Sequence, residues 1–420
     1  MNIPKGYKMT EVGVIPEDWR IVSLKDIGTF SKGGGISREQ SNTGTLPAIR
    51  YGELYVNQHD YIRRFYSHVS PEIAQTAKLI KRGDILFTAS GETKEDIGKS
   101  VAYDGNEEAY AGGDLIIFTP KIDCVPIFMG YLLNTQYVRS QKALRGQGDA
   151  VVHITTSSIG DIKIALPKVE EQQRIADALI DIDRLIEPIN AEIEKKRQIK
   201  EGAMQALLTG KKRLPGYSGE WVEKKFNDFI SRFATGLNPR NNFTLNSGGY
   251  YYYVTIKDFK DGVLFFSGCD KIDGQALKLI NERSDLRIGD LLFSSIGRIG
   301  DAYVIKEEPK NWNINESVFN LRPNKDVITS DFLYYLIKSE KVQDLFKENT
   351  TGSTLKSVKM GHLKEIVCFF PSDLKEQSAI AQILKDIDAE ILALEAERDK
   401  YMLIKQGMMQ ELLTGKTRLV

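Results

Sequence analysis

Cysteine is scarce. Cys124, Cys269 and Cys368 lie far apart and are odd in number, which argues against both a disulfide framework and a zinc site. No apolar run approaches the length of a membrane span, and the N-terminal stretch MNIPKGYKMTEVGVIPEDW lacks the apolar core of a signal peptide. The four histidines, His59, His68, His153 and His362, show no pairing one helical turn apart and no partner constellation. They are read as structural or surface residues. Charge bias is absent too: 57 Lys and Arg balance 57 Asp and Glu, so no global basic excess advertises nucleic acid. A neutral chain can still gather its cations on one face. The expectation is a cytoplasmic protein with no membrane partner.

Catalytic motifs are equally sparse. Gly98-Lys99-Ser100 ends like a phosphate-binding loop, but Thr93 stands where that motif needs a glycine. No glycine-rich methyltransferase loop and no Asn/Asp-Pro-Pro-aromatic motif occurs. Asp84, Glu92 and Lys94 imitate the spacing of a magnesium nuclease, yet the matching GDLLFSSIGRIG of the second half keeps only the aspartate. A turn aspartate beside a solvated loop is the plainer reading. The sequence therefore predicts no catalytic residues and no metal site.

What the chain does have is itself, twice. EQQRIADALIDIDRLIEPINAEIEKKRQIKEGAMQALLTGKKRL (Glu171–Leu214) aligns without a gap on EQSAIAQILKDIDAEILALEAERDKYMLIKQGMMQELLTGKTRL (Glu376–Leu419), with about half the positions identical. Weaker matches extend the repeat: Trp19 with Trp221, Asp26 with Asp228, RGDILFTASG with IGDLLFSSIG, and Pro167 with Pro371. Two copies separated by long dissimilar stretches indicate a duplication, not a solenoid.

The copied tails read as helices. Ile175, Leu179, Ile182, Ile186, Ile189 and Ile193 alternate spacings of four and three, and Ile380, Leu384, Ile387, Ile391 and Leu394 repeat that seam. Two such seams in one chain are most simply satisfied by packing on each other. Gly210 and Gly415 are natural stops, and some forty residues of helix span roughly 60 Å. Pro188 predicts a bend near Glu187. DILFTAS, DLIIFTP, DLLFSS and SVFNLRP read as strands; PIFMGYLLNTQYVRSQKAL and SDFLYYLIKSEKVQDLF each read as one amphipathic helix. The Tyr250–Tyr253 run reads as a half-buried strand.

The expected architecture is two α/β (α+β) domains in pseudo-two-fold arrangement, joined by two long helices packed as an antiparallel coiled coil. The boundaries are 1–167 for the first domain with its N-terminal arm, 168–214 for the first helix, 215–371 for the second domain and 372–420 for the second helix. PGYSGEW follows the first helix, and its counterpart GVIPEDW lies at the N-terminus. With antiparallel helices the N-terminal arm would lie near the C-terminal end.

Polar, glycine-rich, cation-bearing segments recur at equivalent places in the halves: SKGGGISR against ATGLNPRNN, ALRGQGDAVVHITTSSI against NTTGSTLKSVKM, and ASGETKEDIGKS against SSIGRIGD. Side chains of these types reach phosphates and base edges. The candidates are Lys32, Arg38, Lys94, Lys99, Arg145 and Gln147 in the first half, and Asn238, Arg240, Arg298, Ser353, Thr354 and Lys356 in the second.

The proline-then-EQ entry to each helix, the paired LLTGK exits, the GEW and PEDW domain starts and the GD-ILF and GD-LLF strands together resemble the specificity subunit of Type I restriction-modification systems. The resemblance covers the chain from about Val14 to Leu419. It implies two target-recognition domains, each reading one half of a split, asymmetric site on double-stranded DNA, with the coiled coil setting the separation of the half-sites. It further implies docking of two modification (methyltransferase) subunits and of restriction subunits. S-adenosylmethionine, ATP and magnesium would belong to those partners, and this chain would hold no cofactor. On the residues alone, a coiled-coil scaffold and a stand-alone magnesium-dependent nuclease using Asp84 and Glu92 stay open.

Overall fold

The structure, a computed structural model, describes residues 3–240, 242–246, 248–350 and 356–420. It divides into two compact units, Met1–Asn190 with Ala396–Val420, and Ala191–Glu395. Each unit contains a mixed α+β head, the start of one long helix and the end of the other.

In the first unit a four-stranded antiparallel sheet runs in the order Ser100–Ala102, Ile85–Thr88, Leu115–Pro120, Gly28–Lys32. A second four-stranded sheet, Ser67–Val69, Leu46–Ile49, Ala109–Ala111, Lys78–Ile80, contains one parallel pairing. Side chains alternate across a strand. Ile85, Phe87, Ile116 and Phe118 therefore enter one core, which they share with Trp19, Phe128 and Tyr131. Leu86, Leu115 and Ile117 enter another, between the sheets. Burial on both faces explains why the central strands read as unbroken apolar runs.

The second unit repeats this plan. Ile230–Thr235, Val318–Pro323, Leu291–Ser294 and Ala302–Val304 form an antiparallel sheet. Asp270–Ile272, Tyr251–Val254 and Trp312–Ile314 form another, with the last pairing parallel. The tyrosine run is thus a strand, and its inner end, Tyr253 and Val254, is buried.

One expectation needs correcting. Each segment read as one amphipathic helix is two: Pro126–Leu133 then Gln136–Arg145, and Ser330–Lys338 then Glu340–Glu348. Thr135 and Ser339 adopt extended backbone, and their hydroxyls donate to the freed carbonyls of Leu132 and Leu336. Hydroxyl side chains compete for backbone groups in this way at helix ends. The first long helix, Val169–Leu207, continues through Pro188, which is exposed.

The second long helix spans Leu374–Leu412. Gly210 and Gly415, just beyond the two helix ends, take φ of 73° and 71°, the left-handed conformation that closes helices. In the first unit Ile175 and Leu179 share a core with Leu412 and Leu413; in the second, Leu207 and Leu208 share one with Ile380 and Leu384. Further along, Ile186, Ile193 and Ile391 are buried, while Ile182 and Ile387 are partly covered. Ion pairs fix the direction of the helix segments. Glu171 meets Arg418 and Asp183 meets Lys405 in the first unit. In the second, Glu376 meets Arg213, Asp388 meets Lys200 and Glu390 meets Lys196. As numbers rise on one helix they fall on the other, so the segments are antiparallel within each unit. The N-terminal arm lies at the C-terminal end: Tyr7 Oη donates to the Gly415 carbonyl at 2.9 Å, and Arg418 pairs with Asp18.

Most polar residues of the repeat that are identical and buried serve the junction between head and helices. Arg418 Nε and Nη2 grip Glu171 at 2.7 and 2.9 Å, and the guanidinium lies 6.0 Å from the Trp19 ring. Arg213 grips Glu376 at 2.6 and 2.7 Å, 5.8 Å from Trp221. Gln172 accepts from Val125 N–H and donates to the Pro167 carbonyl; Gln377 accepts from Thr329 N–H and donates to Pro371 and Val327. Tyr131 donates to Asp183 at 2.6 Å and Tyr335 to Asp388 at 2.8 Å. Burial, reinforced by those carboxylates, pushes both phenols well above their ordinary range, so they remain donors.

Glu376 is fully buried, and truncating its partner would strand a charge away from water. Arg213→Ala should therefore lower the stability of the second unit by about 3–5 kcal/mol, with part recovered in Arg213→Ala/Glu376→Gln. Denaturant midpoints measure this; equal midpoints for parent and Arg213→Ala would contradict it.

Candidate nucleic-acid interface

Three loops of the first head meet at one end of its main sheet. Gly33 N–H donates to Leu115 at 2.9 Å, Ala89 N–H to Asp114 at 2.8 Å, and Ile154 N–H to Ala89 at 2.9 Å. Gly91 pairs with Val152 and Ser90 with His153 in a short antiparallel ladder. His153 and Gln147 exchange both backbone hydrogen bonds, at 2.8 and 2.9 Å. The approach at Gly33 is so close that an added Cβ would lie 1.9 Å from the Gly112 carbonyl oxygen. Only glycine fits there. Asp114 turns the chain with φ of 59°, a conformation aspartate tolerates better than most residues.

These contacts enclose a depression of about 460 Å³, lined among others by Lys32, Ser90, Asp114, His153, Thr155 and Ser157. It is polar, open and bears donors of several kinds. Ser90 Oγ lies 3.0 Å from His153 Nδ1. Beneath the loops sits Lys142, 1% exposed, whose amine donates to the Gly98 and Leu133 carbonyls and to Ser100 Oγ, each at 2.7 Å. Burial pushes this amine well below its ordinary value.

The second head has a similar loop frame, although its glycine N–H goes to a different acceptor. Ile296 bridges Ser357, Val358 N–H donates to Ser295 at 2.9 Å, and Gly236 N–H donates to Asn315 at 3.1 Å. At Gly236 an added Cβ would lie 1.6 Å from the Ile314 carbonyl oxygen, as the equivalent Gly33 would meet Gly112.

The sequence candidates fall into four groups. Lys32, Arg38, Lys94, Gln147, Arg240 and Lys356 are exposed, with Lys32 at the depression. The half-buried Lys99 and Arg145 and the exposed Arg298 are tied to partners within the head. Lys99 Nζ donates to the Gln58 carbonyl at 2.7 Å, and burial lowers its affinity for the proton. Arg145 holds its own helix end through the Gln141 carbonyl at 2.9 Å. Arg298 pairs with Asp301 at 2.8 Å and donates to Ile256 and Phe259. Asn238 is half-buried and its carbonyl accepts from Asn242. Ser353 and Thr354 lie outside the described residues.

Sequence reasoning missed Ser90, Lys142 and His153. Their signal was present but faint: Ser90 falls on Ile296 where the flanking residues match closely. Asp84, the nuclease candidate, accepts from Lys81 N–H and from Thr119 Oγ1, closing the turn into its strand. Glu92 and Lys94 are exposed, and no group of three potential metal ligands occurs among the described residues.

The description "Type I restriction modification DNA specificity domain" matches residues 16–195 and again 218–401. The chain belongs to that family, whose members are the non-catalytic, sequence-recognising subunits of Type I restriction-modification systems. A putative Type I restriction enzyme MjaX specificity subunit from Methanocaldococcus jannaschii is 26% identical, covering 99% of this chain and 97% of its own. The Type I restriction enzyme EcoKI specificity subunit of Escherichia coli is 20% identical over 97% of this chain and 90% of its own. Among solved structures, a Type I S subunit from M. genitalium superposes with a TM-score of 0.61 at 13% identity, covering 98% of each chain.

If Lys142 holds the loop frame, Lys142→Met removes the amine from the Leu133 carbonyl and leaves the Gly98 carbonyl only the longer bond from Ser100 Oγ, at 3.2 Å. The expected cost is about 1–3 kcal/mol, with faster amide exchange over residues 97–100 and 152–154 than elsewhere. Hydrogen-exchange mass spectrometry reads this directly; unchanged protection would contradict it.

Proposed function

We propose that this chain reads a bipartite, asymmetric site on double-stranded DNA, one half-site per head, and carries two modification subunits and the restriction subunits to it. One observation carries the reading: at the end of the main sheet the same bridge between two loops occurs in both heads, closed by Ile154 N–H to Ala89 in one and Val358 N–H to Ser295 in the other, but with different side chains. A frame built for two different ligands of one chemical class has this form. Lys32, Arg38, Lys94 and Gln147 would serve the first half-site, and Arg240 and Lys356 the second. The long helices would act as one antiparallel coiled coil that sets the gap between half-sites. Such a complex acts on DNA in the cytoplasm.

The repeated helices also offer a repeated partner surface. Lys195, Ile199 and Gly202 recur as Lys400, Ile404 and Gly407, spaced to share one helix face. All six are exposed, with Ile199 at 46% and Ile404 at 40%. Glycine inside a helix costs about 0.5–1 kcal/mol relative to alanine, and neither glycine has a neighbour within 4 Å of where a Cβ would lie. Nothing within each unit accounts for keeping them. A face used twice by the same partner does, and a modification subunit bound at each copy fits.

Co-expression with the cognate modification subunits should yield DNA methylated at one split motif, mapped by sequencing; random or absent methylation would contradict the reading. Lys32→Ala or Arg38→Ala should weaken only the first half-site, and Arg240→Ala only the second. Inserting one heptad into both helices should lengthen the gap while the bases read stay the same. Ile199→Glu and Ile404→Glu should each reduce, and together abolish, co-purification of the modification subunit.

A further inference from the structure

One point of the loop frame is constant in backbone and different in chemistry. In the first head the bridge joins Ser90 to His153; in the second it joins Ile296 to Ser357. The residues that follow, Ile154 and Val358, make the same hydrogen bond back across the bridge, to Ala89 and Ser295, each at 2.9 Å. The positions are therefore equivalent in space, not merely in alignment. Three features make this point suited to reading a base. His153 is exposed and lines the depression beside Lys32. Its backbone is held on two sides, by Ser90 and by Gln147. Its ring is oriented by the Ser90 hydroxyl at Nδ1, which leaves Nε2 facing away. A hydroxyl that donates to Nδ1 makes Nε2 a donor, and one that accepts makes it an acceptor. Preorganised loop side chains of this kind discriminate bases where mobile ones only add affinity.

We infer that this bridge is the specificity-determining position of each head, resting on the reading of the heads as half-site readers. The His153–Ser90 pair makes a hydrogen bond to a base edge of the first half-site. Ile296, partly exposed on the same frame, makes an apolar contact in the second, which suits a thymine methyl group. Lys32 and the exposed cations around the bridge hold phosphates of their own half-site, so that removing one weakens the hold on that half-site without changing which bases it prefers.

The test is motif mapping with the assembled complex of this chain and its modification subunits. Ser90→Ile/His153→Ser places the second head's pair in the first head. Methylation should change or relax its preference by about tenfold or more at one base of the first half-site, with the second half-site unaltered. His153→Gln, an exposed substitution, should relax the same base, while Lys32→Ala should lower methylation uniformly across sequences. Retention of the parental preference within twofold at every base, in both His153 variants, would overturn the inference. So would loss of both half-sites together on His153→Gln, which marks a structural residue. A parent complex that methylates no split motif would instead overturn the functional reading on which the inference stands.

Discussion

Each head is held to its helices by a buried carboxylate gripped by one arginine, Glu171 by Arg418 and Glu376 by Arg213. Ion pairs of this kind are poor sources of net stability, because removing two charges from water costs nearly what their attraction returns. Their consequence is geometric. A bidentate guanidinium has one good orientation, and here it also faces a tryptophan ring at the start of the head. The carboxylate sits at the beginning of one long helix and the arginine beyond the end of the other. A single contact thus fixes three pieces of chain within each unit. Gln172 and Gln377 add backbone contacts on the same side, and the Tyr131–Asp183 and Tyr335–Asp388 bonds add a second point of attachment about three turns further on. Two attachments along a helix remove the freedom to swivel that one would leave.

This accounts for much of the repetition in the sequence. The first turns of each apolar seam enter the core of a head, and the copied polar residues Glu171, Gln172 and Asp183, with Glu376, Gln377 and the half-buried Asp388, face the junction. They are alike in both copies because the same joint is made twice. Only the exposed copied residues, such as Ile199 and Ile404, are left for a partner to explain. The two joints are not identical, however. Trp19 donates its indole N–H to Glu171, whereas the equivalent N–H of Trp221 is buried without a partner among the described residues. Asp60 and Arg63 add ion pairs to Lys405 and Asp183 in the first unit, and Lys405 holds its proton above the ordinary value: burial opposes the charge, but Asp60 and Asp183 outweigh it.

Periodicity made the long helices, their glycine stops and the double-faced central strands legible, because each rests on local pattern. The breaks at Thr135 and Ser339 were not, since the apolar residues on either side keep a helical spacing while hydroxyl groups end the helix. Pro188 does not end its helix, and it lies on an exposed face. For the interface, composition points to polar loops but does not tell which of their side chains are free and which are tied into the fold. Lys32 and Lys99 are indistinguishable in a sequence, yet one faces the depression and the other is tied to the Gln58 carbonyl. His153 carried no recognisable motif, because its significance comes from a two-residue ladder between segments far apart in the chain.

If constant joints carry interchangeable reading heads, one head can stand in the other's place. The decisive chain is one in which residues 222–370 are replaced by residues 20–166, leaving Trp221, Pro371 and both long helices in place. Assembled with its modification subunits, that chain should methylate a motif containing the first half-site twice, with every base of the second half-site gone. Persistence of the second half-site's bases would place recognition in the helices and contradict the account.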